Sequence, residues 1–368
     1  MIPVVHVIDT GGAGGAETVF RDVAAGLDRT LFEPTCVVSR EGWLASALRE
    51  RGIEPILLPA KGSLNVGYLR QLIGIIRARR ARVVVAHLYG SAVYCSLAGL
   101  IARVPVISIL HGQRDIAGNE RFAGVKRKLL AWGSDRIVFV SHALRDELRP
   151  LLNVPECRCV VIPNGVDMSR FGGHSDRPVR TEIGLGSDEL LVGAIGNIRG
   201  PKAYEVLLDC AARVLKSKTR CRFVIAGDTS GSHYEKLLEQ RARLGLESSV
   251  QFLGLRKDVP DVLASLDLYV LSSSKEGFSI ACVEAMAAGL AVVATRSGGP
   301  EEIVEDGRTG LLVPPQDPAA LAAAIESLAS NPERRAQMGQ AGQERVRRLF
   351  TIDSSLRAYR DLLQSISR

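Results

Sequence analysis

The sequence predicts an α/β protein built from two doubly wound parallel-sheet domains. Three observations carry that prediction. The chain has 368 residues, 46% of them hydrophobic, too long for one ordinary domain and suited to two. Short apolar runs alternate with stretches of helical periodicity, the pattern of a parallel sheet covered on both faces. Aromatic residues are only 5% of the chain, while Ala, Gly, Val and Leu fill the apolar runs, as suits buried strands with closely packed helices.

In the first half, residues 4–8 form an apolar run, interrupted only by His6, that stops before Gly11 and Gly12, which reads as a strand buried on both faces. Further strands are expected at 35–38, 55–58, 83–86, 106–110, 136–140 and 159–162. Helical patterns lie between them at 16–27, 43–51, 67–80, 91–102, 120–132 and 142–151, the last with Ser141 as its cap. Pro163, Asn164 and Gly165 supply turn chemistry at the end of this half, so the first domain is expected to cover 1–167. Residues 168–188 read as a linker. The second series has strands at 191–195, 222–226, 250–253, 268–271, 291–294 and 310–313. Its helices are expected at 202–216, 232–243, 258–264, 279–288, 300–305 and 317–329, giving a second domain over 168–350. The tail, 351–368, has a helical pattern.

Several classes are disfavoured. The start, MIPVVHVIDTGG, lacks a basic region and a long apolar core, and reads as a first strand and not a signal peptide. The most apolar later stretch, 91–102, is too short to cross a bilayer. The seven cysteines are scattered, with Cys157 and Cys159 the one close pair. That spacing suits free thiols in a reducing, cytoplasmic setting and no metal site.

The formal net charge of +7 is uneven. Residues 1–170 hold 22 Lys plus Arg against 15 Asp plus Glu, and residues 171–368 hold 25 of each. Within RFAGVKRKLLAW (121–132), Phe122, Val125, Leu129 and Leu130 recur at roughly helical spacing. Two readings stand at this point. A basic amphipathic helix can lie on an anionic membrane surface; the same pattern fits an ordinary helix with a solvated basic face. Nucleic acid is not expected as a partner, because no nucleic-acid motif is present and spare aromatics for base stacking are missing.

Ligands of open α/β sheets bind beyond the carboxyl ends of the strands, so residues there are the candidates for chemistry. The loop 10–15 follows the first strand. Gly12, Gly14 and Gly15 let backbone approach a ligand closely, and the next helix offers free N–H groups to a phosphate or sugar. In GNIRGPKAYEVLL (196–208), Lys202 stands at a helix start, with Arg199 on the loop before it. The chain has no Asp-X-Asp pair to hold a metal, so these cations would neutralise a diphosphate themselves. Glu276 and Glu284 bracket EGFSIACVE. The first sits on a loop, and the second lies about two helical turns on, where a carboxylate can hold ribose hydroxyls.

Taken in order, GGAGGAE (11–17), IPNGVD (162–167), GNIRGPKAYEVLL and EGFSIACVE running into AMAAGLAVVATRSGGPEEIV resemble the group 1 family of retaining GT-B glycosyltransferases. The resemblance covers nearly the whole chain and is strongest over 161–313. It implies two Rossmann-like domains facing across a cleft, with the last helix returning to the first domain. It implies a nucleoside-diphosphate sugar as co-substrate, no metal cofactor, and transfer to a glycan or lipid-linked acceptor in bacterial surface glycan synthesis. It places His111, Glu276 and Lys202 at the reacting sugar and diphosphate, where Arg199 is the further cation expected from its place on the loop. It places Gly12, Gly14, Gly15, Asn197, the backbone of Gly277, Phe278, Ser279 and Ile280, and Glu284 on the donor, with Arg256 and Lys257 beside the base. The turn at Gly298, Gly299 and Glu302 would lie close to the donor. His87 and His142 gain no role from the resemblance, and His6, His174 and His233 read as structural or surface residues.

The chain departs from the family pattern twice. Asn197 stands where Arg is usual, and Ala203 where Gly is usual; Arg199 is the expected substitute for the missing guanidinium. Two alternatives stay open: a nucleotide-sugar epimerase on the same fold, and a non-catalytic nucleotide-sugar-binding partner subunit.

Overall fold

The computed structural model describes residues 1–59, 65–112, 116, 122–172, 178–186 and 188–367. His174, Arg121 and part of the expected linker fall outside them. Contacts divide the chain into two units, 1–164 with 352–368, and 165–351.

The first unit runs β1 (Ile2–Ile8), α1 (Gly15–Gly26), β2 (Phe32–Val38), α2 (Trp43–Arg49), β3 (Ile56–Leu57), α3 (Val66–Ala78), β4 (Val83–His87), α4 (Tyr89–Ala102), β5 (Val106–Leu110), α5 (Ala123–Gly133), β6 (Arg136–Phe139), α6 (His142–Leu152) and β7 (Cys159–Val161). Its seven strands are parallel, in the order β3-β2-β1-β4-β5-β6-β7. All five residues of β4 and of β5 are buried, as expected of central strands with helices on both faces. The expected cap is present, with Ser141 Oγ accepting the Leu144 amide at 3.1 Å.

The second unit contains α7 (Pro178–Glu182), β8 (Leu190–Ile195), α8 (Tyr204–Lys216), β9 (Cys221–Ala226), α9 (Ser232–Arg243), β10 (Val250–Gly254), α10 (Val259–Ser265), β11 (Leu268–Leu271), α11 (Ile280–Ala287), β12 (Val292–Thr295), α12 (Pro300–Ile303), β13 (Gly310–Val313), α13 (Pro318–Ala329) and α14 (Pro332–Leu349). Its parallel strands are ordered β10-β9-β8-β11-β12-β13. The final helix, α15 (Ile352–Ile366), belongs to the first unit, where Arg82 Nη2 donates to the Ser367 carbonyl at 2.7 Å.

Both sheets reverse direction beside their first strand, between β1 and β4 and between β8 and β11. Such switch points leave a crevice at the strand ends where loops diverge. The glycine loop at 10–15 and the stretch at 196–202 follow β1 and β8.

Two helices exceed the sequence expectation. α7 lies within the expected linker. α14 has a largely polar composition, and only Met338, Gly339, Gly342 and Val346 are buried along it, a stripe too thin to read as a core helix. Its start is marked by Asn331, whose side chain accepts the Arg334 amide at 2.9 Å, followed by Pro332 in the first turn. The side chains of α14 serve the ends of shorter helices: Gln343 donates to the Ala287 carbonyl, and Arg345 to those of Glu302 and Ile303.

Candidate active site

In the second unit, the loops after β8, β11 and β12 converge. The chain leaves β8 through Gly196 and makes a short 3-10 turn over Gly200–Lys202. Ala203 adopts a left-handed conformation at φ 47°, the position where glycine is usual, and it is fully buried. The turn is fastened to the loop after β11. Ser272 Oγ donates to the Lys202 carbonyl at 2.8 Å, and the Ser274 amide donates to the Pro201 carbonyl at 2.8 Å.

This fastening brings Lys202 to Glu276. Lys202 Nζ donates to Glu276 Oε1 at 2.7 Å, and Ser273 Oγ donates to the same oxygen at 2.7 Å. The two charged side chains are 22% and 13% exposed, so the pair is screened more weakly than a surface pair while staying open to a ligand. The Lys202 chain lies against Gly196, where a Cβ would come 2.8 Å from Lys202 Cε.

Glu276 is held on both sides by backbone. Its amide donates to the Ser297 carbonyl at 2.8 Å, and its carbonyl accepts the Gly299 amide at 3.0 Å. A Cβ on Gly299 would sit 2.6 Å from the Gly277 oxygen and 2.7 Å from Phe278 Cα, so glycine is required there by close backbone approach. The structure thus places the expected turn at Gly298 and Gly299 beside Gly277 and Phe278.

Helix α11 begins immediately after, with Ser279 Oγ accepting the Cys282 amide at 3.3 Å. The first amides of a helix lack intrahelical partners and favour an anion. Phe278 has its ring buried against Phe350, 5.8 Å between centroids, so only its backbone can face a ligand. Glu284 lies one turn into α11 and is 13% exposed, with Arg170 Nη1 at 3.8 Å from its Oε1.

Three other expected residues do different local work. Asn197 Oδ1 accepts the Asp228 amide at 3.2 Å, joining the loops after β8 and β9. Arg199 is exposed, and its guanidinium has no ion-pair partner among the described residues. Arg256 is held by two carboxylates, Asp258 at 2.7 Å and Glu182 at 2.9 Å. These bonds hold its ionisation well above the ordinary range, and the structure does not bring it to Lys202 and Glu276.

In the first unit, Gly14 caps α1 and Gly15 opens it. A Cβ on Gly12 would meet nothing within 4 Å, whereas one on Gly11 would meet the Arg40 oxygen at 2.9 Å. His111 follows β5 and is half-buried; its Nε2 lies 3.2 Å from Nδ1 of His87, at the end of β4. The surrounding protein pulls His111 down to about 4, by burial. His87 is completely buried and is held well below the ordinary value by burial first, then by His111 and His6.

Sequence reasoning passed over His87, Ser273 and Arg170. Ser273 has a signal in hindsight: three serines directly follow β11, where hydroxyls can pin a loop. His87 and Arg170 have none, because their partners are distant in sequence.

In the second unit, two acids, a lysine and the start of a helix thus gather around the loops after β8 and β11. Two family descriptions together match most of the chain: "Glycosyl transferases group 1" over residues 176–345 and "Glycosyltransferase Family 4" over 13–170. The chain belongs to the group 1 glycosyltransferases. It is 32% identical over 246 residues to a D-inositol 3-phosphate glycosyltransferase of Corynebacterium kroppenstedtii, covering 64% of this chain and 54% of that protein. It is 31% identical over 223 residues to the lipopolysaccharide core biosynthesis mannosyltransferase LpsB of Rhizobium meliloti, covering 59% and 63%. The matched region spans about half the length of several such curated relatives. The crystal structure of Anabaena Alr3699/HepE in complex with UDP and glucose superposes with a TM-score of 0.88 at 24% identity, over 99% of this chain and 100% of that one. The fold is GT-B.

Proposed function

We propose that the protein transfers a sugar from a nucleoside-diphosphate sugar to an acceptor hydroxyl with retention of anomeric configuration, and that it needs no metal ion. The observation that carries this reading is the Lys202–Glu276 pair beside the start of α11. An ammonium and free helix amides in one place suit a departing diphosphate, whose charge grows in the transition state. Arg199, exposed on the adjoining loop, supplies a second cation. Glu284 accepts the ribose hydroxyls, and Glu276 stands at the sugar. His111 and the loop at Gly12, Gly14 and Gly15 are assigned to the sugar and diphosphate. No nucleophile and base pair is needed if the leaving diphosphate accepts the acceptor proton on the same face. Catalysis then rests on positioning and charge stabilisation.

The acceptor in this reading is a lipid-linked or polysaccharide glycan of bacterial surface synthesis, reached by a cytoplasmic enzyme peripheral to the membrane. Its support is α5. The helix packs through Leu130, Ala131 and Gly133 and turns Phe122, Val125 and Trp132 outward, 51%, 56% and 76% exposed. Trp132 and Leu151 line an open groove with Arg127, Lys128 and Arg158. Apolar side chains with cations beside them suit an anionic lipid surface. The relative LpsB is described as acting in lipopolysaccharide core biosynthesis.

The test is thermal stabilisation by UDP, GDP, ADP and CMP, each with and without EDTA. A shift selective for one diphosphate, indifferent to EDTA and lost in Lys202→Ala, is expected. No shift with any of them refutes the donor reading. For the membrane part, co-sedimentation with phosphatidylglycerol vesicles at low salt is expected and falls in Trp132→Ser; no sedimentation of the unaltered protein refutes it.

A further inference from the structure

His87 and His111 stand at the ends of neighbouring parallel strands, with rings 5.4 Å apart and inclined by 16°. Their Nδ1 and Nε2 atoms are 3.2 Å apart, so one must donate to the other. Which one donates follows from what surrounds His87. Its ring packs against Phe20 at 4.9 Å and against His6 at 6.4 Å, and its Nε2 is buried with no hydrogen-bond partner. Among the described residues, none hydrogen-bonds that nitrogen.

A buried imidazole without a counter-charge is neutral and carries one hydrogen, on Nδ1 or on Nε2. With the hydrogen on Nε2, a buried N–H would have no acceptor, an arrangement folded proteins rarely tolerate. With the hydrogen on Nδ1, only a lone pair is left unmatched, and the Nδ1–H has an acceptor in His111 Nε2. His111 then receives at Nε2, so its own single hydrogen lies on Nδ1. That nitrogen bonds no other described residue.

We infer that His87 is a positioning residue that locks His111 as the neutral Nδ1–H tautomer, so that His111 meets its ligand as a hydrogen-bond donor and not as a base or a cation. The consequence for the reaction rests on the glycosyl-transfer reading above. The tautomer assignment does not, because it follows from the contact between the two rings and from the buried, unpartnered Nε2 of His87.

The test is a long-range proton–nitrogen NMR spectrum of protein labelled with 15N-histidine at neutral pH, assigned with His87→Leu and His111→Gln. Both His87 and His111 should show a protonated Nδ1 and a bare Nε2, the tautomer less populated by free histidine. In His87→Leu, His111 should move toward the Nε2–H form. Turnover of the nucleotide sugar should then fall about tenfold at unchanged KM, which corresponds to ~1.4 kcal/mol. His87→Gln, which retains a donor, should restore part of it. An Nε2–H signal for His111 in the unaltered protein overturns the inference, as does a His111 tautomer unmoved in a folded His87→Leu variant. If the protein turned over no nucleotide sugar, the glycosyl-transfer reading would fail while the spectrum still decided the tautomer.

Discussion

Gly12→Ala separates a structural glycine from a ligand-facing one. An ideal Cβ at this position meets no heavy atom within 4 Å, and the backbone lies outside the left-handed region. The folded protein therefore has room for the methyl. Removing a glycine from the unfolded chain stabilises the fold by about 0.4–1 kcal/mol where the native backbone tolerates alanine. The melting temperature should hold or rise slightly. If the loop approaches the donor closely, the same methyl intrudes on the ligand. Forcing an extra methyl into a fitted contact costs about 1–3 kcal/mol, or roughly 5- to 150-fold in affinity. Gly11→Ala is the control, because its Cβ would lie 2.9 Å from the Arg40 carbonyl oxygen and 3.0 Å from Arg40 Cγ; that variant should lose stability. Differential scanning fluorimetry reads the first effect, and donor kcat/KM with nucleotide-sugar titration reads the second. A Gly12→Ala enzyme with undiminished kcat/KM would refute the assignment of this loop to the ligand.

Arg199→Ala should reduce kcat/KM at least as much as Lys202→Ala if Arg199 replaces the guanidinium absent at Asn197; an unaffected enzyme in steady-state assays discards that role. Gly299→Ala should lower stability by about 1–3 kcal/mol, because the new methyl meets Gly277 and Phe278 backbone, and a melting temperature equal to that of the unaltered protein contradicts the close approach. Burial pulls His6 down to about 3 and His111 to about 4, so the folded state refuses protons that the unfolded chain takes up near pH 6.5. Stability is therefore full above about pH 6.5 and lost progressively as pH falls toward 4. The melting temperature of His6→Leu should fall less steeply over that interval, and an identical slope counts against a neutral, buried His6.

The continuous apolar runs gave strand positions to within a few residues, because a strand buried on both faces needs little beyond its own composition to be recognised. Helix α14 was invisible to the same logic: four buried positions in eighteen residues do not make a core stripe, although Asn331 and Pro332 mark its start. At α5 the sequence left two readings open. The structure buries Leu130 and turns Val125 and Trp132 outward, so only part of the apolar pattern packs into the core. In the candidate site, Lys202 and Glu276 were each legible as strand-end residues. Their direct bond was not, since it joins residues 74 apart through a switch point that only the sheet order reveals. Ser273 and His87 act on neighbours whose identity depends on which strands lie side by side. The two glutamates of EGFSIACVE were legible because both belong to one loop and helix.

The most direct test of the account is a calorimetric titration, in EDTA, of the nucleoside diphosphate that the stabilisation screen selects into the unaltered protein, Lys202→Met and Glu276→Gln. Lys202 should add a charge-assisted hydrogen bond to the diphosphate, worth about 1.5–3 kcal/mol, less what it gives up in leaving Glu276. Removing the lysine should therefore weaken binding by roughly tenfold or more, while removing the competing carboxylate should tighten it. Equal affinities across the three proteins, or weakening by both substitutions, would contradict a diphosphate seat built on Lys202.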